Sequence, residues 1–536
     1  MKALTAAEMR EVDRLTTERY GIPSLQLMET AGRKAADAVW RIAAGRENVR
    51  VCVLCGKGNN GGDGFVVARH LREAKIPTRV FLFGQPDEVR GDAGTNLKRW
   101  LDRGEKIEVV GSEADWERVW PEVSSSNVLV DAMLGTGLRG AASGTIGRAI
   151  SDVNRLSHNA TLPRPALILA VDTPSGFPSD GEAPAGPVLF AHRTVTFTAP
   201  KIGQLISVKA EACGALEVVS IGSPAELVEA CGKGPIRCAY PDEFVSLPLI
   251  RAATSHKGTF GHVLLVAGSL GKSGAAVLAG YACLRGGAGL TTIACPDAVQ
   301  ATIACAHPES MVEALASTES GTIHSSNLSS GHFARILEGK TVLGIGPGLG
   351  THPETQRAIQ QIVCESALPL ILDADGLNAF AGKADLLKDR KSPFLAITPH
   401  PGEMARLLGT TNSEVQSDRL RAAAEAARRW NAHVILKGFH TLIVAPDGRT
   451  WVNPFGGPAL AKGGSGDVLT GVLAALTAQF GTEDWLRVLA LGVFLHGVAA
   501  DMLALEEEPS GILAHQVAEM IPVAREWLVR EIRFGG

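Results

Sequence analysis

Short apolar runs alternate with longer amphipathic segments along the N-terminal half of the chain. These runs have the length of strands, are mostly apolar and are widely separated. Such a pattern favours βαβ units and a parallel sheet whose strands are buried on both faces. Phe65–Ala74 has the pattern of the helix after the first run. The predicted strands are Val49–Cys55, Arg79–Phe83, Asn127–Asp131, Ala166–Asp172, Thr194–Thr198 and an edge strand at Leu216–Ile221.

A second alternation of the same kind occupies the C-terminal half of the chain. Within Thr441–Trp451, the sequence Pro446-Asp447-Gly448 separates two apolar arms, which predicts a hairpin. The other strands predicted in this half are Gly261–Ala267, Thr291–Cys295, Thr341–Ile345, Pro369–Asp373, Phe394–Thr398 and His433–Lys437. The two halves share no sequence repeat, so we interpret the chain as a fusion.

Residues 223–250 differ from both halves because they are rich in proline and glycine and lack a sustained period. We interpret them as a linker region. The chain is therefore predicted to be an α/β protein with two doubly wound domains, residues 1–222 and residues 251–536. In such sheets ligands bind beyond the carboxyl ends of the strands, so the polar residues that follow each strand are the candidate site residues.

The composition narrows the class of protein. The chain has 536 residues, of which 45% are hydrophobic and 20% charged, enough for more than one packed core. Its net charge is −4, and the absence of a basic block disfavours nucleic-acid binding. Nine scattered cysteines suit a reducing compartment. Neither a signal segment nor a membrane-spanning apolar stretch is recognisable, so we expect a cytoplasmic protein without a membrane partner.

A glycine-rich run, Gly56–Gly64, follows the first predicted strand and leads into a helix. Glycines allow the backbone to approach a phosphate, and a helix N-terminus offers free N–H groups. Such spacing also arises by chance in a glycine-rich chain, and a structural turn with Asp63 as the helix cap is the alternative. The two asparagines in the run favour the binding interpretation.

Oxygen-bearing side chains end two further strands of the same sheet. Asp131 and Asp172 end their strands, and we expect them to converge with Asn60 and Ser175 on one edge of the sheet. Mostly neutral oxygens suit a weakly bound monovalent cation, whereas tight divalent sites recruit more carboxylates. Since neither cysteine nor histidine accompanies them, a zinc site is disfavoured.

The N-terminal half resembles the YjeF N-terminal family, which contains the NAD(P)H-hydrate epimerases. The stretches that carry the resemblance are Leu4–Asp13, Gly21–Leu25, Leu27–Gly32, Gly58–Gly64, Val130–Gly137 and Val171–Gly176. The resemblance implies a Rossmann-like domain that interconverts the R and S hydrates of NADH and NADPH. Lys201 lies in another stretch similar to the family.

This resemblance also implies site residues. A potassium ion is expected at Asn60, Asp131 and Ser175. One aspartate is expected to act as the acid/base. We favour Asp172 over Asp131, and that choice stays open. Substrate contacts are implied for Asn59, Asn60, Gly61, Gly62, Asp63, Gly135, Thr136, Gly137, Leu138, Arg139, Gly140, Ala141 and Asp172.

Two glycine-rich segments compete as the phosphate site of the C-terminal half. Gly268–Ser273 resembles a Walker A loop, but the first glycine of that motif would fall at Val266, inside a strand, so we reject it. The run Gly463–Asp467 opens a helix whose free N–H groups would form an anion hole, and Asp467 could take a proton from an attacking hydroxyl. The alternative is a helix start capped by Asp467. Four other strand ends carry polar loops, which favours the phosphate site.

From about Lys257 onward the chain resembles the ribokinase-like NAD(P)H-hydrate dehydratases. The resemblance implies hydrate contacts at Ala275, Gly348, His400 and Asp467, with Asp467 catalytic. Asp373 and Glu403 are candidates for metal or water contacts, although turn and cap roles are equally compatible. An adenine nucleotide, ADP or ATP with Mg²⁺, is implied at Lys437, Gly438, Phe439, His440, Thr441 and Gly466.

Together the two halves predict a bifunctional repair enzyme for NAD(P)H hydrates. One domain would interconvert the epimers, and the other would phosphorylate the hydroxyl of the S form and eliminate phosphate. The alternative is a ribokinase-type kinase of a small molecule with a regulatory, non-catalytic N-terminal domain. The sequence leaves open ADP against ATP, NADHX against NADPHX, and whether the protein is a homo-oligomer.

Overall fold

A computed structural model describes residues 1–138, 140–157, 166–481 and 484–534 of the chain. The chain divides into two compact units, Met1–Gly234 and Pro235–Gly536. Each unit is a parallel-sheet α/β structure, so the predicted fold class of two doubly wound halves is confirmed.

The N-terminal unit is built on a seven-stranded parallel sheet with the strand order β3-β2-β1-β4-β5-β6-β7. All six strands predicted for this half are present, and β7 is an edge strand as expected. The short edge strand β3 was not predicted. The strands are β1 Val51–Cys55, β2 Thr78–Leu82, β3 Ile107–Val109, β4 Val128–Ala132, β5 Leu167–Val171, β6 Arg193–Phe197 and β7 Ala215–Val219.

Helices cover both faces of this sheet. The residues of β1 alternate between two cores: Cys55 lies in one and Cys52 in the other, so the two thiols are buried on opposite faces. The helices are α1 Ala6–Tyr20, α2 Ser24–Ala43, α3 Asn59–Glu73, α4 Gly91–Leu101, α5 Glu113–Ser124, α6 Gly144–Ser157, α7 Ile202–Ile206 and α8 Ala225–Cys231.

Helix α3 begins six residues earlier than the sequence pattern indicated, so most of the glycine-rich run lies in its first turns. Its glycines permit close packing. A Cβ on Gly61 would lie 1.9 Å from the Gly56 carbonyl oxygen, and one on Gly64 would lie 2.7 Å from the Sγ of Cys55. Asp63 lies inside the helix, and Gly58 occupies the cap position, so the capping interpretation of Asp63 is wrong.

The region predicted to be a linker, residues 223–250, contains regular structure that belongs to both units. Helix α8 packs Leu227 and Val228 against the N-terminal helix α1. The strand β8, Ile236–Cys238, pairs with a strand of the second sheet. The prolines and glycines of this region therefore mark short connections between packed elements.

The C-terminal unit contains a ten-stranded sheet with the order β11-β10-β9-β12-β13-β14-β15-β16-β17-β8. Its strands are parallel except that β16 runs antiparallel to both of its neighbours, which confirms the predicted hairpin. The edge strands β8 and β11 were not predicted. The remaining strands are β9 His262–Val266, β10 Leu290–Pro296, β11 Met311–Leu315, β12 Val342–Ile345, β13 Leu370–Leu372, β14 Leu395–Ile397, β15 His433–Leu436, β16 Thr441–Val444 and β17 Thr450–Asn453.

The helices of this unit form a large apolar core with the sheet. They are α9 Ser273–Gly286, α10 Asp297–Ala304, α11 Ser326–Ser329, α12 His332–Leu337, α13 Pro353–Glu365, α14 Ala374–Asn378, α15 Pro401–Leu408, α16 Asn412–Ser417, α17 Arg419–Trp430, α18 Ser465–Phe480, α19 Trp485–Ala504 and α20 Ala514–Phe534. By length and composition, α19 would be apolar enough to cross a membrane. However, 83% of its apolar window is buried within the protein, and His496 is buried in it.

Helices α9 and α18 approach each other closely at Gly471. A Cβ at this position would lie 2.1 Å from the Ala279 carbonyl oxygen and 2.8 Å from the Cys283 nitrogen, both of which are backbone atoms. We therefore expect Gly471→Ala to force the helices apart and lower the free energy of unfolding by about 1–3 kcal/mol, the usual cost of overpacking. Urea unfolding of the purified chain measures this change.

Gly274→Ala is the matched control, because Gly274 also lies in a helix and has nothing within 4 Å of an added Cβ. Its stability should be unchanged or slightly raised, since alanine favours the helix. Equal destabilisation of both variants would contradict the close contact at Gly471.

Candidate active sites in the two units

A cavity of about 660 Å³ lies in the N-terminal unit beyond the carboxyl ends of β1, β4 and β5. The strand order reverses between β1 and β4, which is where open α/β sheets bind ligands. Eight of the predicted substrate contacts line this cavity together. They are Asn59, Asn60, Asp63, Gly135, Thr136, Gly137, Leu138 and Asp172.

Four other predicted contacts are not among the residues that line the cavity: Gly61, Gly62, Gly140 and Ala141. Gly61 and Gly62 are buried, and an added Cβ on Gly62 would meet Met28 and Ala93 at less than 3 Å. Their lack of side chains permits the close packing of α3. Arg139 lies outside the described residues.

The three residues predicted to hold a cation meet around the backbone of Leu134. Asn60 Nδ2 donates to the Leu134 carbonyl oxygen at 2.9 Å, and the Leu134 N–H donates to Ser175 Oγ at 2.9 Å. Asp131 accepts from Ser175 Oγ at 2.6 Å and from the Ser175 N–H at 2.7 Å. Burial nevertheless raises the pKa of the Asp131 carboxyl to about 6.

Asn60 Oδ1 is shielded from solvent and has no hydrogen-bond partner among the described residues. An unused amide oxygen beside a hydroxyl, a carbonyl and a single carboxylate is a donor set that fits a monovalent cation. Convergence of Asn60, Asp131 and Ser175, as expected from the strand ends, is thus present in the structure.

Asp172 directly follows β5 and is held in place by polar contacts. Its φ of 62° lies in the left-handed region, which costs energy for any residue with a Cβ. The Asp172 carboxylate forms an ion pair with Lys201 and accepts from Thr196 Oγ1 at 3.1 Å. Gln204 Nε2 donates to the Asp172 carbonyl oxygen at 2.7 Å. The Oδ1 of this carboxylate is therefore committed to Lys201, whose side chain is only 1% exposed.

Asp13 lines the same cavity, although the sequence interpretation gave it no role. Burial raises the pKa of the Asp13 carboxyl to about 6, and the charge of Asp172 adds to that rise against the opposing effect of Lys201. Burial also raises the pKa of Asp63 well above its usual range, with contributions from Asp172 and Asp13. The only sequence signal for Asp13 was its position at the end of the family-like N-terminal stretch.

A second cavity, of about 470 Å³, lies in the C-terminal unit beyond β9, β12 and β13 and beside the N-terminus of α18. The predicted hydrate contacts Ala275, Gly348 and Asp467 line it together. Lys272, from the rejected Walker-like segment, also lines it and pairs with Asp375 at 3.2 Å. Val266 lies in β9, as the rejection of that motif required.

Asp467 is the third residue of α18, which begins directly after the glycines Gly463 and Gly464. Burial raises the pKa of the Asp467 carboxyl to about 7; the charge of Asp373 adds to the rise, and Lys437 opposes it. A carboxyl with this pKa can accept a proton near neutral pH. The helix N-terminus around Asp467 presents backbone N–H groups suited to a phosphate.

A buried ion pair lies directly behind this turn. Lys437 Nζ donates to Asp373 Oδ1 at 2.8 Å, and Thr470 Oγ1 donates to Asp373 Oδ2 at 2.8 Å. Burial alone would lower the pKa of Lys437, but Asp373 and Glu403 raise it above its usual value. A Cβ on Gly466 would lie 3.3 Å from Lys437 Nζ, so a glycine lets α18 approach the pair.

The other residues predicted to bind the nucleotide form the turn between β15 and β16. Gly438 has a φ of 144°, and the exposed ring of Phe439 stacks on His440 with 4.1 Å between centroids. Thr441 Oγ1 donates to the Gly438 carbonyl oxygen at 3.3 Å. The turn follows Lys437 directly, so it lies at the carboxyl end of β15.

His400 is the predicted hydrate contact that does not line the second cavity. It caps α15 instead: its Nδ1 accepts from the Gly402 N–H at 3.0 Å and from the Glu403 N–H at 3.4 Å. Glu403 Oε2 in turn accepts from the His400 N–H at 2.8 Å, which completes a capping box. Both oxygens of Asp373 are occupied and Glu403 serves as a cap, so neither presents a free carboxylate to a metal ion.

The fold and the sites define an α/β protein with two ligand-binding units, the second of which is arranged for phosphoryl transfer. Family models match both units: residues 24–203 match the YjeF-related protein N-terminus, and residues 263–523 match NAD(P)H-hydrate dehydratase. The chain belongs to the family of bifunctional NAD(P)H-hydrate repair enzymes.

Relatives from distant organisms match along nearly the whole chain. The bifunctional NAD(P)H-hydrate repair enzyme of Moorella thermoacetica is 40% identical over 99% of this chain and 98% of its own length. The Escherichia coli enzyme of the same name is 35% identical over 95% and 91%. A solved ADP/ATP-dependent NAD(P)H-hydrate dehydratase from Bacillus subtilis, co-crystallized with ATP and Mg²⁺, covers 54% of this chain and 98% of its own, with 31% identity and a TM-score of 0.46.

Substitution of His400 can distinguish a role in capping α15 from a role in contacting the substrate. We expect His400→Ala to lower the free energy of unfolding by about 1 kcal/mol, because the first turn of α15 loses its side-chain acceptor. The KM for the hydrate should stay within about twofold of the wild-type value, since His400 lies outside the cavity lining. Urea unfolding and steady-state kinetics measure the two effects.

His400→Asn is the matched control, because asparagine is a good N-cap residue and should restore most of the stability. A KM raised tenfold or more in both variants, with stability unchanged in both, would contradict the capping role and favour the hydrate contact.

Proposed function

We propose that the chain repairs hydrated nicotinamide cofactors in two steps. The N-terminal unit interconverts the R and S hydrates of NADH and NADPH, and the C-terminal unit dehydrates the S form with ADP or ATP. The observation that carries the proposal is the placement of Asp467. It lies at a glycine-rich helix N-terminus, in one cavity with Ala275 and Gly348, and has a pKa of about 7. Family membership supplies the substrate class.

Dehydration by this route needs a better leaving group than hydroxide. The Asp467 carboxylate takes the proton of the substrate hydroxyl while the hydroxyl oxygen attacks the terminal phosphorus of the nucleotide. The bond between that phosphorus and the bridging oxygen breaks, and AMP leaves when the donor is ADP. Phosphate is then eliminated together with a proton from the neighbouring ring carbon, which restores the ring double bond.

The anion hole and the buried lysine supply the electrostatics of this step. The backbone N–H groups of Gly466 and Asp467, in the first turn of α18, would stabilise the negative oxygens of the phosphoryl group. Lys437, next to Gly466, adds a positive charge behind them. Because Asp373 and Glu403 are occupied, Mg²⁺ would bind through the nucleotide phosphates, whose charge it balances.

In the N-terminal unit we propose that Asn60, Asp131 and Ser175 hold a potassium ion. The support is the orphaned Asn60 Oδ1 next to the Asp131–Ser175 pair. A bound cation would fix the Leu134 loop and attract the diphosphate of the hydrate to the cavity. The residues Asn59, Asp63, Gly135 to Leu138 and Asp172, which line the same cavity, would contact the hydrate.

The decisive experiment supplies a mixture of R and S NADHX with ADP or ATP and Mg²⁺ and follows recovery of reduced-nicotinamide absorbance. Complete recovery is expected from the wild-type chain, at a dehydration rate that rises as the pH passes through about 7, where Asp467 ionises. Asp467→Asn should lower the dehydration rate at least 100-fold, as loss of a general base does. The variant should still interconvert the epimers, as chromatography of the two hydrates measures.

Asp389→Asn is the control for this substitution, because Asp389 is exposed and lies outside the cavity lining. It should dehydrate at the wild-type rate. Accumulation of a stable phosphorylated product would instead identify a small-molecule kinase, and no recovery with either nucleotide would refute the proposed repair function.

The potassium proposal predicts a specific stabilisation of the chain. Potassium chloride should raise the thermal midpoint more than choline chloride at equal ionic strength, because an ion that binds only the folded state stabilises it. Asn60→Ala should lose this difference. Asn59→Ala is the matched control and should keep it, since the exposed Asn59 is not part of the oxygen cluster. The same midpoint in both salts for the wild-type chain would refute the site.

A further inference from the structure

Among the residues that line the N-terminal cavity, four ionisable side chains interact electrostatically: Asp13, Asp63, Asp172 and Lys201. Interconversion of the hydrate epimers needs a group that can give and take a proton near neutral pH. The four residues are not equivalent in this respect, and their contacts distinguish them.

Asp172 is committed to a structural contact. Lys201 and Thr196 both donate to its Oδ1, and Lys201 is enclosed with Thr196 as a second acceptor at 2.7 Å. Protonation of Asp172 would leave the buried ammonium group of Lys201 without its counter-charge, which is costly. Asp131 is committed through both of its oxygens, since each accepts from Ser175.

Asp63 is disfavoured as the proton carrier because its carboxyl favours the protonated form. Burial inside the first turns of α3, with Asp172 and Asp13 nearby, raises its pKa well above the usual range of a carboxyl. A carboxyl whose pKa is raised in this way favours its protonated form, which suits donation of a hydrogen bond better than acceptance of a proton.

Asp13 differs from the other acids in its contacts. Its Oδ1 is shielded from solvent and has no hydrogen-bond partner among the residues that the structure describes. A carboxylate oxygen that is shielded from water and has no hydrogen-bond partner destabilises a folded protein, unless a ligand supplies the missing hydrogen bond. Because Asp13 lines the cavity, the missing partner is expected to come from the substrate.

The backbone holds Asp13 and Lys201 in one rigid arrangement. Leu4 pairs with the segment around Lys201: its N–H donates to Pro200 at 2.9 Å, and its carbonyl oxygen accepts from the Ile202 N–H at 3.0 Å. Helix α1 begins directly after this pairing, with a capping box at Thr5. Its apolar face packs on Ala199 and on α8, so Asp13 is oriented towards the cavity by both contacts.

We propose that Asp13 is the catalytic proton carrier of the epimerase site and that Asp172 is a positioning residue, which holds Lys201. This inference rests on the proposed epimerase function of the N-terminal unit. It replaces the expectation from the sequence that Asp172 itself transfers the proton.

Epimerisation of the hydrate requires only one proton carrier. The hydrate is a cyclic hemiaminal, in which the hydroxyl-bearing ring carbon is bonded to the ring nitrogen. The Asp13 carboxylate takes the hydroxyl proton, the oxygen forms a carbonyl, and the carbon–nitrogen bond breaks with its electron pair going to nitrogen. Asp13 then returns the proton to that nitrogen. Rotation of the aldehyde and reclosure by the reverse steps forms the other epimer, so no co-reactant is consumed.

The charges around Asp13 suit this exchange. Burial and the charge of Asp172 favour its protonated form, whereas Lys201 favours the ionised form. Asp63 and Arg10 also line the cavity. The resulting pKa of about 6 leaves Asp13 mostly ionised at neutral pH, as a base must be, and still able to hold a proton transiently.

The test compares Asp13→Asn, Asp13→Glu and Asp172→Asn in the full chain. Epimerisation is followed by chromatography of R and S NADHX at a rate above the spontaneous one. Asp13→Asn should lower the rate at least 100-fold while dehydration of the S form continues unchanged. Its thermal midpoint at pH 8 should be equal or higher, because the substitution removes a buried charge that has no partner.

The pH profile distinguishes a proton carrier from a structural residue. The wild-type epimerisation rate should rise through a limb near pH 6, and Asp13→Glu should keep measurable activity with a displaced limb. Asp172→Asn should lower both activity and thermal midpoint but keep a limb. Glu11→Gln, on the same helix and outside the cavity lining, should behave like the wild type.

The outcomes distinguish a failure of the proposed epimerase function from a failure of the proposed role of Asp13. If the wild-type chain does not accelerate epimerisation, the proposed function of the unit fails. If the wild-type chain is active and Asp13→Asn keeps more than a tenth of its rate, the inference on Asp13 is refuted. Loss of the pH limb in Asp172→Asn alone would return the role of proton carrier to Asp172.

Discussion

Each unit of this protein is organised around a buried pair of one lysine and one aspartate. In the N-terminal unit the pair is Lys201 with Asp172, and in the C-terminal unit it is Lys437 with Asp373. Both aspartates directly follow a strand of a parallel sheet, and both pairs lie at the carboxyl edge of that sheet. A buried charge is costly unless it is paired and hydrogen-bonded, so the surrounding hydroxyls, helices and glycines must hold each pair closely. Thr196 and Thr470 supply that support.

The sequence predicted the interior of both sheets and missed three of their edges. Interior strands are covered on both faces, so they form apolar runs that are visible without any knowledge of the fold. The strands β3, β8 and β11 lie at sheet edges, where partial exposure removes the run, and β3 and β8 are only three residues long. The supposed linker was misinterpreted for a related reason. Its prolines and glycines lie in the short connections before, between and after α8 and β8, and proline content alone cannot distinguish a short packed connection from a free one.

Site residues that follow strand ends could be predicted from the sequence, whereas site residues that reach a cavity through tertiary packing could not. Topology alone brings Asn60, Asp131 and Ser175 together, and the same holds for Ala275, Gly348 and Asp467. By contrast, Asp13 belongs to a helix that precedes the first strand, and it reaches the cavity through the pairing of Leu4 with the segment around Lys201 and the packing of α1 on Ala199 and α8. Glycines were the least informative residues. Gly61 and Gly471, for example, are glycines because neighbouring backbone lies too close for a Cβ.

In each unit a third acid lies beside the buried pair and has a pKa near neutrality. Burial raises the pKa of Asp13 to about 6 and that of Asp467 to about 7. In both cases the aspartate of the pair raises the pKa further, and the lysine of the pair opposes it. Because the two members of a close ion pair largely cancel at a third site, desolvation decides the pKa, and small differences in geometry adjust it. An unpaired lysine in the same place would keep the third acid ionised, and an unpaired aspartate would keep it protonated. The pair therefore gives each unit an acid that can exchange a proton near neutral pH, which both the epimerisation and the phosphoryl transfer require.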